Sequence, residues 1–452
     1  MRISFKHFAK ASDGEIDINK LTIICGPNGT GKTYTSYAIY GAIKHFNEFF
    51  DYDIQDSEIN KLLEGAPLKF NIYNEAQLFE RRLIEASRRF KRGLDEYFSA
   101  PKGFFSKAEF SLHLEADELH PHQEFSQTII TKGLGTLDIE SPENSGEIIA
   151  AYSGNTSDRL PKQFVRRVLS RAISDCMFGN SIPEPFVVTS ERTGVALFYK
   201  ELDVNRNALL SHLATTEKVN PLDIINSMQS RYAQPIQHNI DVVRDYSSVS
   251  KQKSFIRENR DHFGYIYEAW NELIGGTFKG DNDSLTFNPR KQKGKPKIIV
   301  PLYIASSSIK SLFLIDMYIN YLAQPGGLLI IDEPELNLHP DNQVKIARLI
   351  SRLVSAGVKV LVTTHSDYLV REINNLVSLG SEIENKEGVM QRYNYQIEDI
   401  LHPKDVNAYC ATPNRGLVNM KVSESGIDTQ LFDNIINSEN EKAQDIYYSL
   451  RG

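Results

Sequence analysis

Cysteine is scarce in this chain. Cys25, Cys176 and Cys410 are the only three in 452 residues, and they form no paired motif. That excludes a disulfide framework or a cysteine metal site, and the expectation is reduced thiols in a cytoplasmic protein. No apolar run approaches the ~20 residues a membrane helix needs, so no membrane partner is expected. The opening MRISFKHF alternates like a strand and lacks the apolar core of a secretory leader. Excess positive charge is missing too: 51 Lys and Arg stand against 58 Asp and Glu, a net charge of −7. No global cationic field draws nucleic acid, although a local patch stays open. There is no internal repeat, low-complexity tract or sustained heptad, which excludes solenoids and long coiled-coil arms.

What is present is an ordinary globular balance, 41% apolar and 24% charged. The length exceeds what one core usually holds, so two or more units are expected. The informative stretch is LTIICGPNGTGKT, from Leu21. Gly26, Asn28, Gly29, Thr30, Gly31, Lys32 and Thr33 complete the pattern G-x-x-x-x-G-K-[ST]. Glycines let such a loop wrap closely, so its N–H groups point at phosphate oxygens. Lys32 is placed for the β- and γ-phosphates of ATP, and Thr33 Oγ for Mg²⁺.

The second half of that chemistry lies 300 residues on, where LLIIDEPELNLHP ends a strand in Asp332 and Glu333. Asp332 is a candidate Mg²⁺ ligand, and Glu333 is a candidate catalytic carboxylate that polarises the attacking water. In KVLVTTHSDYL a further apolar strand ends at His365, the second catalytic candidate, within reach of a γ-phosphate. Alone, a histidine there reads as structural; its place after the acidic pair turns that reading.

The alternation of the last third, strand 326–335, helix 341–357, strand 358–366 and helix 367–379, indicates a parallel sheet covered on both faces. Residues 1–8 and 16–25 read as strands, and 75–98 as a long polar helix. Residues 107–115 and 124–131 read as antiparallel strands, 161–178 as a helix opened by Pro161, and 184–190 as a short buried strand. Residues 191–275 read as mostly helical. SLTFNP and KIIVPLYI read as a hairpin around the basic loop RKQKGKPK, and the C-terminus as a helix. The fold class is therefore α/β, a P-loop core with a parallel central sheet and added antiparallel strands, split by a largely helical insertion. Residues 1–45 form the first part of the core and 276–452 the second. The insertion, 46–275, contributes part of the core sheet near 107–190.

The set GPNGTGKT, DEPELNLHP and TTHS resembles ABC-type ATPases, among them RecF, the SMC proteins and the OLD-like ATPases of bacterial defence systems. In kind it is similar to the ATPase subunits of Septu and PARIS. That resemblance implies a nucleotide site shared between two copies. It places a helix-opening signature at Ala305–Lys310, with Ser306, Ser307, Ser308 and Lys310 offered to the triphosphate of another chain. Ser308 stands where the family has glycine, which leaves less room for the backbone to approach. A serine-capped helix is the alternative. Glu335 to Pro340 resembles the loop that meets the opposite subunit, or is a plain turn into a helix. A glutamine-loop residue has only Gln123 and Gln127 as candidates. Arg192, in TSERTG, senses phosphate or makes a salt bridge at a helix start. The basic helix RRLIEASRRFKRG is a solvated face or a nucleic-acid contact. No toprim or H-N-H set of carboxylates follows the core.

The implied function is an ATP-hydrolysing switch or scaffold that works as a homodimer or larger homo-oligomer and controls a separate effector, a nuclease or toxin. The alternatives are a RecF-like ATPase that grips DNA directly and a non-hydrolysing scaffold locked by ATP.

Overall fold

The computed structural model describes the chain except residues 9–12, 51, 72–77, 115–123, 132–133, 144, 155–159, 200–231, 281–283, 292, 294–295, 297, 414 and 450–452. Six strands make the central sheet: β1 (Leu21–Cys25), β2 (Pro185–Val188), β3 (Leu328–Asp332), β4 (Lys359–Thr364), β5 (Val406–Thr412) and β6 (Gly416–Met420). Their order is β6-β5-β1-β4-β3-β2. The first five run parallel, and β6 closes one edge antiparallel. The apolar runs are continuous because both faces are covered. Leu21, Ile23, Leu329, Ile331, Val360 and Val362 pack into one core. Ile24, Leu328, Ile330 and Leu361 pack into the other.

Helices follow the strands as the alternation required: α1 (Lys32–Lys44), α2 (Ser307–Met317), α3 (Pro340–Ser355) and α4 (Asp367–Ser378). Their starts are written in the sequence. Ser306 Oγ accepts from Ile309 N, Ser366 Oγ accepts from Leu369 N, and Pro340 occupies the first turn of α3. Because β1, β2, β3 and β4 are parallel, the loops that leave them all emerge at one edge of the sheet, where ligands of open α/β sheets bind.

Several expected elements differ. Residues 16–25 are not one strand. Gly14–Asp17 pairs with Arg2–Lys6, and only Leu21–Cys25 enters the central sheet. The break is a turn in which Asn19 N donates to Thr22 Oγ1 at 3.0 Å. The strands near 109 and 125 do not pair with each other. Glu109–His113 joins Arg2–Lys6. Phe125–Thr131 instead pairs with Gly135–Ser141 in a four-stranded antiparallel sheet completed by Glu147–Ser153 and Leu68–Asn71. The near hairpin needs the smaller loop closure. Of the described residues of KIIVPLYI, only Val300–Pro301 join a small sheet, paired with Leu285–Pro289, before the chain winds into a 3₁₀ turn. Pro301 has no N–H for the ladder. The partner of Leu285–Pro289 on its other side is Gly276–Gly280.

The basic helix spans Phe79–Arg92, and Leu94–Tyr97 forms a further turn beyond Gly93. Some of its cations serve the fold, while Arg81, Arg88 and Arg92 are exposed. Arg82 is buried with its guanidinium 5.1 Å from the Tyr52 ring centre, and Arg81 pairs with Glu85 at 3.4 Å. Arg89 and Lys91 donate to the carbonyls of Phe49 and Ser106. The three cysteines are free and buried, yet Cys25 and Cys410 are register partners on β1 and β5 despite their distance in sequence. Among the described residues no helix is long and apolar enough to cross a membrane.

Beyond α2 the helix widens into a π turn, Tyr318–Leu322. Beside it Asp316 is buried, accepting from Trp270 Nε1 at 2.9 Å and Asn320 Nδ2 at 3.0 Å. Burial pushes its carboxyl up to about 7, against the opposing hydrogen bonds. The folded state then holds a proton that the unfolded chain releases near its ordinary value of 3.8. Stability contributed by Asp316 is therefore present below that ordinary value and is lost as pH rises toward 7. Asp316→Asn should flatten this dependence. Urea midpoints at pH 5 and pH 7 should converge in the variant relative to wild type. An unchanged difference would contradict the assignment.

Candidate active site

Cys25 ends β1 and Gly26 turns the chain at φ 137°, where a Cβ would strike the Ala411 carbonyl oxygen of β5. Gly29 and Gly31 also hold positive φ, 73° and 89°. α1 opens without a side-chain cap. The N–H groups from Asn28 to Thr33 donate to no backbone carbonyl among the described residues. The loop thus offers a cluster of unclaimed donors at a helix N-terminus, the arrangement that suits anionic oxygens. Lys32 is buried, and its Nζ donates to the carbonyls of Gly26 and Pro27 at 2.8 and 2.9 Å. Burial lowers its pKa, opposed by the charges of Glu333, Asp332 and Glu335.

The structure brings Asp332 to this loop across 300 residues of sequence. β4 lies between β1 and β3, so the ends of the outer two strands face each other over it. Thr33 Oγ1 donates to Asp332 Oδ2 at 3.0 Å. Asp332 is fully buried, and Thr363 Oγ1 of β4 also donates to it. Burial raises its pKa, and hydrogen bonds from Thr363, Thr33 and Ser190 oppose that. A hydroxyl beside a carboxylate is a pair of hard oxygen donors that fits Mg²⁺. Among the described residues no three His, Cys, Asp or Glu side chains form a metal cluster. Mg²⁺ bound together with phosphate oxygens needs no such cage.

Glu333 follows at φ 52°, a left-handed conformation that a side chain disfavours. Its N–H donates to Thr363 O at 3.0 Å. His365 Nδ1 lies 3.5 Å from Glu333 Oε1 and 3.3 Å from Glu335 Oε1. Glu335 is buried and accepts from Thr364 Oγ1 at 2.8 Å and from His365 N at 2.9 Å, which fixes the turn that carries the histidine. Thr363 and Ser190 escaped sequence reasoning, and Glu335 reads there only as the start of the loop that meets an opposite subunit. The doubled threonine and the second glutamate of DEPE were the available signals.

Ser306 and Ser307 are exposed at the start of α2, and Ser308 is partly exposed. Lys310 is buried and donates to Tyr303 O at 3.1 Å. Among the described residues no hydrogen bond joins these four to the loop from Gly26 to Thr33. Arg192 neither faces the loop nor makes a helix-start salt bridge; it is fully buried and bonded to main-chain carbonyls. Gln127 sits in the peripheral four-stranded sheet opposite Ile139, outside the central sheet. Gln123 lies outside the described residues. Pro340 opens α3, and Asn337 Nδ2 donates to Thr193 Oγ1 at 3.2 Å.

Residues 202–371 match a family model described as "AAA domain, putative AbiEii toxin, Type IV TA system". That span includes Asp332, Glu333 and His365 and stops short of the phosphate loop. A "Septu protein PtuA" of Bacillus thuringiensis is 38% identical over 72 residues, 16% of this chain and 18% of that protein. The match thus spans less than a fifth of its length. Among solved structures, an Smc head domain of Pyrococcus furiosus with an extended coiled coil, bound to the C-terminal domain of ScpA, aligns over 100% of this chain and 99% of that one. Its sequence identity is 12% and its TM-score 0.31. The SMC head domain of Thermotoga maritima aligns over 82% of this chain and 90% of that one, at 12% identity and a TM-score of 0.26. Scores at that level do not show a common fold.

Proposed function

We propose that this chain is an ABC-type ATPase that binds ATP with Mg²⁺, hydrolyses it to ADP and phosphate, and uses the nucleotide to assemble with a second copy of itself. The observation that carries this is the convergence of Thr33 with Asp332 and of Glu333 with His365 at the ends of three neighbouring parallel strands. Lys32 and the loop donors hold the phosphates, and Thr33 and Asp332 hold the metal, which neutralises developing phosphate charge. Glu333 accepts a hydrogen bond from the attacking water and orients it, and His365 faces the γ-phosphate.

The core in this reading comprises 1–45 and 276–452 with Pro185–Val188 added; the rest of 46–275 is a lid or docking region. The exposed serines that open α2 support completion of the site by another chain. Tyr303 and Ile304, 60% and 64% exposed, lie just before them and give that seam apolar surface. The similarities to a toxin–antitoxin AAA domain and to a Septu protein support a role in antiviral defence, with the ATPase as switch or scaffold for a separate nuclease or toxin. Direct gripping of DNA is disfavoured by the net charge of −7 and by the internal use of Arg82, Arg89 and Lys91, although Arg81, Arg88 and Arg92 of the same helix stay exposed. The test is Mg²⁺-dependent phosphate release by the full chain. Turnover is expected in wild type and absent from Lys32→Ala. Equal rates in the two proteins would sink the enzymatic reading and leave an ATP-locked scaffold.

A further inference from the structure

Arg192 has no part in the reaction just proposed, yet it heads the large side chains wholly removed from solvent. Among the described residues its four hydrogen bonds all go to main-chain carbonyls. Nε donates to Ser311 at 2.9 Å, Nη1 to Thr189 at 3.1 Å and Asp332 at 2.8 Å, and Nη2 to Glu333 at 2.7 Å. A buried guanidinium costs desolvation, which the nearby charges of Asp332, Glu335 and Glu333 oppose, although among the described residues none of these carboxylates is hydrogen-bonded to it. The fork geometry accounts for its retention. Five N–H donors in one plane reach the end of β2, the end of β3 and the body of α2 at once, which a single ammonium cannot do.

The residue that gains most is Glu333. Its backbone sits at φ 52°, which a side chain disfavours and which persists only when neighbours fix it. Thr363 holds the N–H side through its carbonyl at 3.0 Å and its hydroxyl at 3.2 Å. Arg192 holds the carbonyl side. Both polar main-chain groups of Glu333 are therefore pinned, and relaxation toward an ordinary conformation would break at least one of these bonds. The same guanidinium holds the carbonyl of the preceding residue, Asp332, so the two acidic residues are fixed relative to each other.

We propose that Arg192 is a positioning residue for hydrolysis: it clamps the strained backbone of Glu333 so that the carboxylate faces the attacking water. This rests on the ATPase reading above. It assigns Arg192 no contact with nucleotide and no proton transfer.

The test is Arg192→Lys in the full chain, with cooperative thermal unfolding checked first. Affinity for a fluorescent ATP analogue should stay within about 3-fold of wild type, while kcat falls by about 10²-fold, the penalty of a misplaced catalytic group. In a Glu333→Gln background the same substitution should cost less than about 3-fold, because a residue acting through Glu333 has nothing left to position. If Arg192→Lys does not fold, Arg192→Gln, neutral and with only two donors, is measured in its place. A kcat near wild type overturns the proposal. So does a full loss that persists beside Glu333→Gln, since that marks a merely structural residue. Wild-type turnover no faster than Lys32→Ala would overturn the ATPase reading and this proposal together; the first two outcomes leave that reading standing.

Discussion

Glu333→Gln should lower ATP turnover by about 10³-fold, within the range expected when a general base is removed. ATP binding should stay intact, because the amide keeps the size of the side chain while losing the charge that draws a proton from water. The backbone should not move, since Thr363 and Arg192 hold its N–H and its carbonyl. Glu335 is a poorer base. It is buried, and its Oε1 accepts from Thr364 and from the His365 main chain, which leaves only Oε2 without a partner among the described residues. With hydrolysis blocked, ATP keeps binding the assembled form, and mass action holds the assembly together. Phosphate release gives the rate, and light scattering after gel filtration in ATP gives the mass. The variant should run as a stable dimer or larger species in ATP, where wild type decays to the smaller one. A variant that hydrolyses at the wild-type rate would remove Glu333 from the water-positioning role.

The contrast between Glu333 and Arg192 shows where sequence is readable and where it is not. Gly26 to Thr33, Asp332, Glu333 and His365 were visible because each follows an apolar run, and because strands in a covered parallel sheet must be apolar on both faces. Their meeting followed from the alternation of strand and helix. Val406–Thr412 and Gly416–Met420 went unseen, since Asn407 and Asn419 interrupt their apolar positions and each leaves only a short apolar stretch. Gly135–Ser141 interrupts its apolar positions with Asp138 and Glu140 on an outer sheet, a pattern that polar loops share. Thr363 reads as an ordinary strand former, and only the fold reveals that its hydroxyl bridges Asp332 and the Glu333 amide. Arg192 is the extreme case. Its partners are carbonyls, which every residue carries, so no pairing of side-chain types announces them. The basic helix misleads in the opposite direction. Its cations look available in sequence, whereas Arg82, Arg89 and Lys91 are spent on a ring and two carbonyls.

A complementation experiment decides whether the site lies between copies. Lys32→Ala removes the phosphate-binding cation and should abolish turnover. Ser306→Asp is the better partner than a bulky replacement. Aspartate caps a helix as well as serine does, so the Ser306–Ile309 cap of α2 is preserved and folding is spared. The added negative charge, however, repels a triphosphate brought to that helix start. Each variant alone should be inactive. Mixed in equal amounts and allowed to exchange, half of the dimers pair one chain of each kind, and each such dimer holds one site with both Lys32 and Ser306 intact. About a quarter of wild-type turnover should return, as the two-fold symmetry of a shared site requires. A site completed within one chain returns nothing, because no single chain has both residues. If Ser306→Asp alone is fully active, the start of α2 is a capped helix and nothing more, and the chain must complete its chemistry at the edge of its own sheet.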